Sequence, residues 1–368
     1  MRTEVTRADN ALGKIFDWKQ TPGKDAYKRY FKKFIQPINQ SVSKHFFTWF
    51  FQNITVDHFT LDIDSTIMTR YGSQHGAKKG YNPKKKGRVS HHPLIAFVDE
   101  LHMVANFWLR SGKASSANNF VSFLAETLTI FGDKKIGLVR LNSGFCQKDV
   151  FDYLEDQSLN YIVAAKFVHP IQCLIDKQQS WITIDDGIQI CSKTYQAQSW
   201  DKARRIVIVR QQLKQRPKAT GKTLSLFPEE ELHRSYRYSA YITNQNYSAT
   251  DVWRNYRGRA DCENRIKELK QDFGTDNFCL KDFWSTGATL IFVMIAYNLM
   301  SVFRLFVLQE KTQKTLSTLR YKVFAIGVYF QKSKDSIKLK VALHKKRRKW
   351  FLGIWDYPLD LPLKIPNL

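Results

Sequence analysis

The sequence predicts an α/β fold: a mixed sheet flanked by helices, interrupted by an antiparallel β-rich insertion and preceded by a basic helical region. Three stretches predict it. Phe59 to Asp64, FTLDID, alternates strictly, with Phe59, Leu61 and Ile63 on one side and Thr60, Asp62 and Asp64 on the other; that is the period of a strand. Residues 170–249 hold several runs rich in β-branched and aromatic residues, separated by turn residues, which is how antiparallel strands read. Tyr256 to Lys270, YRGRADCENRIKELK, begins an apolar stripe of Cys262, Ile266, Leu269 and Phe273, the period of a helix lying on a core.

Composition narrows the function. With 368 residues, 43% hydrophobic and 14% aromatic, the chain has material for a large core and is not a disordered one. Lys plus Arg outnumber Asp plus Glu by 58 to 33, a net +25, which points to a polyanion partner, most often nucleic acid. The basic residues run the whole length of the chain, so a long track of phosphate contacts is expected. Cys146, Cys173, Cys191, Cys262 and Cys279 include no C-x-x-C pair. Neither a zinc site nor a disulfide framework is supported, and a reducing, cytoplasmic and nucleoid-associated setting is expected. The N-terminal MRTEVTRADNALGK has no apolar run, so no signal peptide is expected. Ser285 to Phe303 is uncharged and long enough to span a membrane. Its Gly287, Asn298 and Ser301, followed by Arg304, favour a buried helix instead, and no membrane partner is expected.

Taken in order, residues 1–58 read as helical and basic, with Tyr27, Tyr30, Phe31 and Phe34 interleaved with lysines. An ordinary amphipathic helix and a DNA-contacting one both account for that pattern. Residues 59–169 form the first part of the core. The strand at 59–64 is followed by a Gly/Lys-rich loop, 70–92, with six cations between Lys78 and Arg88. Glycine lets backbone approach a ligand closely and the cations attract phosphate. Strands follow at Pro93–Asp99 and His102–Arg110, then a helix at Ser115–Phe131 capped by Ser115 or Ser116. A strand at Ile136–Leu141 ends in the polar turn Asn142–Phe145. A helix at Gln147–Gln157 and a strand at Tyr161–Phe167 complete this part. The insertion, 170–249, reads as strands broken by the polar stretch Lys214–Glu231, and carries Trp200 close to Arg204 and Arg205. An aromatic beside cations can stack an unpaired base, although packing on the sheet is the commoner role for such a tryptophan. Residues 250–308 supply the second part of the core. Residues 309–368 hold a hairpin turning near Ser333–Asp335 and the basic run HKKRRKW at 344–350.

Treated as one helix, Tyr256–Lys270 puts Tyr256, Arg259, Glu263 and Lys270 within about 60° of one another. A carboxylate between two cations on a buried helix edge is a natural ligand for a metal that meets a phosphate. A surface helix with i,i+4 pairs such as Glu263–Lys267 is the plain alternative. Two acidic residues on one strand face repel each other, so Asp62 and Asp64 imply either a cation nearby or a solvent-exposed strand end. Strands, helix, strand with polar turn, then a late helix bearing a carboxylate is the order of an RNase H-like core. Such a core gathers the first strand, the end of the fourth and the late helix, here Asp62/Asp64, position 142 and Glu263. Three carboxylates there bind two divalent ions about 4 Å apart.

At these residues the chain resembles the DDE transposases of bacterial insertion sequences that carry a Y-R-E-K signature. The signature reads Tyr256-x2-Arg259-x3-Glu263-x6-Lys270. LDIDST at 61–66 is similar to the family's first-aspartate strand and maps the catalytic position to Asp64. GYNPKKKGRVSHHPLIAF at 80–97 looks like its loop and second strand. The family's second motif, R-x-D-S-G-F, stands here as Arg140-Leu141-Asn142-Ser143-Gly144-Phe145, with the amide in place of the acid. The resemblance implies a cut-and-paste transposase that works as a homodimer on double-stranded DNA, on transposon ends and on target, by way of a hairpin. It implies two Mg²⁺ ions per site (Mn²⁺ as substitute) at Asp64, Asn142 and Glu263, with Tyr256, Arg259 and Lys270 on phosphates near the cut end. Lys84, Lys85, Lys86 and Arg88, together with Trp200, Arg204 and Arg205, would hold the transposon end. Asn142 is neutral and coordinates a hard cation weakly, so the chain is expected to bind DNA and cut it poorly. The N-terminal region is short compared with many members, as a truncated DNA-binding domain would be. A non-catalytic DNA-binding protein derived from such an enzyme and an RNase H-like nuclease are the competing readings.

Overall fold

The strand Phe59–Ser65, bearing Asp62 and Asp64, lies between a parallel and an antiparallel neighbour near one end of a large sheet. The computed structural model describes residues 3–83, 85–213, 236–277, 280–309, 314–332, 337–358 and 360–364. In chain order the strands are β1 (Ile54–Thr55), β2 (Phe59–Ser65), β3 (Met68–Thr69), β4 (Lys78–Lys79), β5 (Val89–His91), β6 (Leu94–Val98), β7 (Met103–Trp108), β8 (Ile136–Leu141), β9 (Tyr161–Ala164), β10 (Ile182–Asp185), β11 (Ile188–Tyr195), β12 (Arg204–Gln212), β13 (Tyr236–Thr243), β14 (Val328–Lys332), β15 (Ile337–Val341) and β16 (Leu363–Lys364).

Nine of these make one mixed sheet in the order β10-β11-β12-β13-β9-β8-β2-β6-β7. β2, β8 and β9 run parallel; the pairs on either side are antiparallel. The parallel centre is buried, and β6 is apolar at all five positions, LIAFV, as a strand covered on both faces should be. The strands of the insertion do not form a separate body: β13 pairs with β9 and carries the core sheet outward. The same region holds a helix, His169–Asp176, where only strands were expected.

Two expected helices differ from the sequence reading. The helix placed at Ser115–Phe131 begins at Phe120, and Asn119 before it is left-handed at φ 60° with no side-chain cap. The reason is local: Asn118 Oδ1 accepts from both the Ser115 amide and its hydroxyl, which closes a turn over 115–118 instead. The single helix placed at 256–270 is two, Ala249–Arg257 and Ala260–Gln271, broken at Gly258–Arg259. There the guanidinium of Arg140 passes so close that a Cβ on Gly258 would lie 2.5 Å from its Nη1.

The long apolar helix Phe283–Val302 packs on edge strand β7 and on the helix Gln36–Gln52. Asn298 donates to the Val104 carbonyl and accepts from its amide, at 2.8 and 2.7 Å. Ser301 Oγ donates to the His102 carbonyl. The polar residues of this apolar run therefore satisfy backbone groups of an edge strand that would otherwise be orphaned. Near the C-terminus β16 pairs in parallel with β1, which lies just after the helix Gln36–Gln52. β14 and β15 form the expected C-terminal hairpin; its turn lies outside the described residues, as does the stretch 214–235.

Candidate active site

Register brings the first elements of the site together. In the parallel β2–β8 pair, Asp62 stands opposite Arg140 and Ile63 opposite Leu141. Position 142, the first residue past β8, therefore falls beside Asp64. Both aspartates are buried, Asp62 at 1% and Asp64 at 7% exposure, so each needs a partner. Asp62 has Arg140, which donates from Nε and Nη2 to its two oxygens at 2.7 Å each. Arg140 also meets Asp99 at 2.8 Å and donates to the Asn255 carbonyl. Burial lowers the Arg140 pKa, but its hydrogen bonds to Asp62 and the nearby carboxylates outweigh that and hold it above the ordinary arginine value.

Asp64 is held by three groups. Its Oδ1 accepts from the Ser65 amide at 2.8 Å and from Asn142 Nδ2 at 2.6 Å. Its Oδ2 faces Arg259 Nη2 at 3.1 Å. Asn142 is itself fixed, because its Oδ1 accepts from the Gly144 amide at 2.8 Å and caps the short turn Ser143–Phe145. Gly144 is required there: a Cβ would sit 2.6 Å from Ser116 Oγ and 2.9 Å from Asn142 Oδ1. Phe145 is fully buried and packs against Phe120.

The late helix adds the rest. Arg259, 5% exposed, sits between the two carboxylates and reaches Glu263 Oε1 at 3.9 Å. Its Nε and Nη2 make no hydrogen bond among the described residues, so its contact with Asp64 is an ion pair only. The Glu263 side chain is 74% exposed, which corrects the expectation of a carboxylate on a buried helix edge; Cys262, Ile266 and Leu269 take the buried stripe. Tyr256 lies on the preceding helix and donates to the Leu141 carbonyl at 3.3 Å, with its ring against Tyr241. Burial pushes its phenol up to about 12. Lys270 donates to the Ile67 carbonyl at 2.7 Å, just past β2. Arg110 Nη2 donates to Ser65 Oγ from the far side.

These donors do not fit a three-carboxylate cage for divalent ions. The second position turns an amide N–H, not an oxygen, toward Asp64, and a guanidinium occupies the other side. Among the described residues no cluster of three or more His, Cys, Asp or Glu side chains is placed to hold a metal.

The model of the family described as transposase DDE domain, group 1, matches residues 12–356. The chain belongs to this DDE transposase family. No curated protein matches it. Among solved structures, a piggyBac transposase in a synaptic complex with hairpin DNA is similar at 12% identity and a TM-score of 0.44. That likeness covers 83% of this chain and 59% of the other.

In this DDE domain the remaining residues named from sequence fall in different places. Lys85, Lys86 and Arg88 are exposed on the loop between β4 and β5, where Lys85 and Arg88 lie over the Tyr71 ring. Lys84 lies outside the described residues. Trp200 is corrected: at 6% exposure it packs edge-on against Phe151 and Tyr195 in the core, where no base can reach it. Arg204 is corrected as well. It is 5% exposed and paired with Glu155 and Asp152 at 2.7–3.0 Å, so its charge is spent inside the fold. Arg205 donates to Ser192 Oγ and to the carbonyls of Gln245 and Tyr247. Sequence reading assigned no role to Arg140, Asp99, Arg110 or Gly258. A signal for the first was present: Arg140 is the one charge in the strand IGLVRL, and the neighbouring acidic strand offers it a carboxylate.

Proposed function

We propose that the chain is a DNA transposase of the insertion-sequence type, in the Y-R-E-K group, that binds duplex transposon ends and cuts them poorly or not at all. The observation that carries the proposal is the meeting of Asp64, position 142 and the Arg259–Glu263 helix at one end of the parallel strands, in a chain of the DDE transposase family. Asp64 and Glu263 are the carboxylates of the site and Asn142 stands at its second acidic position. Arg259 as a phosphate contact rests on the Y-R-E-K signature and on the chemistry of a guanidinium, which binds phosphate through paired N–H groups; its Nε is buried without an acceptor, so that contact requires the side chain to swing outward. The exposed cations at Lys85, Lys86 and Arg88 extend that contact along the duplex, and the net +25 supplies long-range attraction. A member with full activity would nick with a divalent cation, pass through a hairpin and rejoin as a dimer. Asn142 removes one negative ligand from that chemistry, so this chain keeps the DNA-binding half of it.

A duplex ending in the terminal repeat that flanks the chain's own coding region tests this, with Mg²⁺ or Mn²⁺ and with the native chain beside Asn142→Asp. Cleavage by Asn142→Asp alone is the expected result. Binding without cleavage by either protein would favour a purely DNA-binding role. Efficient cutting by the native chain would overturn the assignment of position 142.

A further inference from the structure

The contacts around Asp64 leave little for an ion to do. Asn142 Nδ2 and the Ser65 amide donate to Oδ1 at 2.6 and 2.8 Å, and Arg259 Nη2 faces Oδ2 at 3.1 Å. Oδ1 takes two hydrogen bonds, and Oδ2 takes an ion pair, without a hydrogen bond, to a guanidinium that stays protonated at any working pH.

The orientation of the Asn142 amide is fixed by chemistry. Its oxygen faces the Gly144 N–H at 2.8 Å and its nitrogen faces Asp64 Oδ1. Flipping it would set N–H against N–H at one end and oxygen against carboxylate at the other, so both ends become repulsive. An ion bound to Asp64 could not share the amide oxygen without that flip, because the nitrogen is the end of the amide that faces the carboxylate. A Mg²⁺ site asks for oxygen donors at about 2.0–2.1 Å in near-octahedral array, whereas here an N–H points into the place the ion would take.

We infer that Asn142 and Arg259 together take over the electrostatic role of a divalent cation at Asp64, so that the native chain closes this site with no ion. The inference rests on the reading of positions 64, 142 and 263 as the site of a DDE transposase. It carries a corollary. An aspartate at 142 would keep the Gly144 cap, because a carboxylate oxygen accepts as well as the amide oxygen does. It would also set two carboxylates in direct contact, with one guanidinium on the far side of Asp64 to balance both, an excess negative charge that a hard divalent cation relieves. One substitution thus separates a self-satisfied site from an ion-requiring one.

Thermal unfolding of the full chain at about pH 8, in EDTA and in millimolar Mn²⁺, reads this directly; that pH keeps a proton from standing in for the ion. The native chain should show the same Tm in both buffers and no bound Mn²⁺ by electron paramagnetic resonance. Asn142→Asp should have a lower Tm in EDTA and recover at least about 3 °C with Mn²⁺. The variant Asn142→Ser removes the amide without adding a charge and should show the same Tm in both buffers, and Mn²⁺ binding to the native chain itself keeps the test open if Asn142→Asp does not fold. Stoichiometric Mn²⁺ on the native chain, abolished in Asp64→Asn, would overturn the inference and leave the transposase site intact. No response to Mn²⁺ from any variant, including a folded Asn142→Asp, would instead overturn the reading of these positions as a cation site, and the inference with it.

Discussion

Arg140 holds both carboxylate oxygens of Asp62 at 2.7 Å across the β2–β8 pair. The same guanidinium meets Asp99 and the Asn255 carbonyl, so one side chain ties together two strands, the turn after β6 and the helix before Gly258. Asp64 and Asn142 each lie two residues on, which makes their 2.6 Å contact a consequence of this clamp.

Arg140→Ala is expected to cost about 3–5 kcal/mol, because it leaves Asp62 charged and buried without a partner. Adding Asp62→Leu should recover much of that deficit, since an apolar pair of similar volume removes the stranded charge. Urea midpoints of the single and double variants check this. A single variant as stable as the native chain would show that the clamp is dispensable.

Gly258→Ala sets two effects against each other. Gly258 has right-handed αR dihedrals, φ −55° and ψ −24°, so alanine gains about 0.4–1 kcal/mol over glycine through the unfolded state, but its Cβ would meet Arg140 Nη1 at 2.5 Å. Overpacking of that kind costs about 1–3 kcal/mol, and here it also pushes on the hydrogen bond to Asn255. Net destabilisation is expected, and it should shrink in the Arg140→Ala background, which a double-mutant cycle measures.

Replacing Lys85, Lys86 and Arg88 with alanine should weaken binding to duplex DNA and flatten its salt dependence. Each phosphate that the protein no longer neutralises reduces the slope of log K against log salt by about 0.9. Trp200→Ala serves as the contrast. It should lower stability by about 3–5 kcal/mol and leave the slope of the folded protein unchanged, as a core residue must. Binding titrations at several salt concentrations distinguish the two.

Acid should destabilise the fold before the carboxylates titrate. His91 and His102 are held down to about 4 and about 3, by burial first, with Arg70 adding to this at His91 and Arg265 and Arg304 at His102. Their folded values lie below the ordinary 6.5, so the unfolded chain takes up protons first as pH falls. Stability is therefore full above about 6.5 and declines below it, by up to about 1.4 kcal/mol per pH unit for each histidine. Urea midpoints at about pH 7.5 and about pH 5 should show the drop, and His102→Gln should make it shallower.

Much of the sheet was legible because its strands carry their own local pattern. Ile136–Leu141 has the boundaries read from sequence, and FTLDID is strand β2, although its acidic face is buried against arginines rather than alternating with solvent. What sequence could not place were contacts between distant segments. Arg204 beside Trp200 looks like a DNA contact until Asp152 and Glu155, fifty residues upstream, are seen to neutralise it. The break at Gly258 arises from a guanidinium on another strand, so no periodicity within 249–271 announces it. Glu263 followed the helical period, yet its exposure depends on the depth at which the helix lies, and the apolar stripe alone does not set that depth.

The pairing of β13 with β9 means that the insertion cannot be excised as a detachable module. Removing it would strip the partner from β9, whose Tyr161, Ile162 and Val163 are wholly buried. A bare, flat, apolar strand edge is a template for pairing with another chain. A shortened protein built by deleting residues 170–249 would therefore join its own copies edge to edge, and insolubility would precede any question about catalysis.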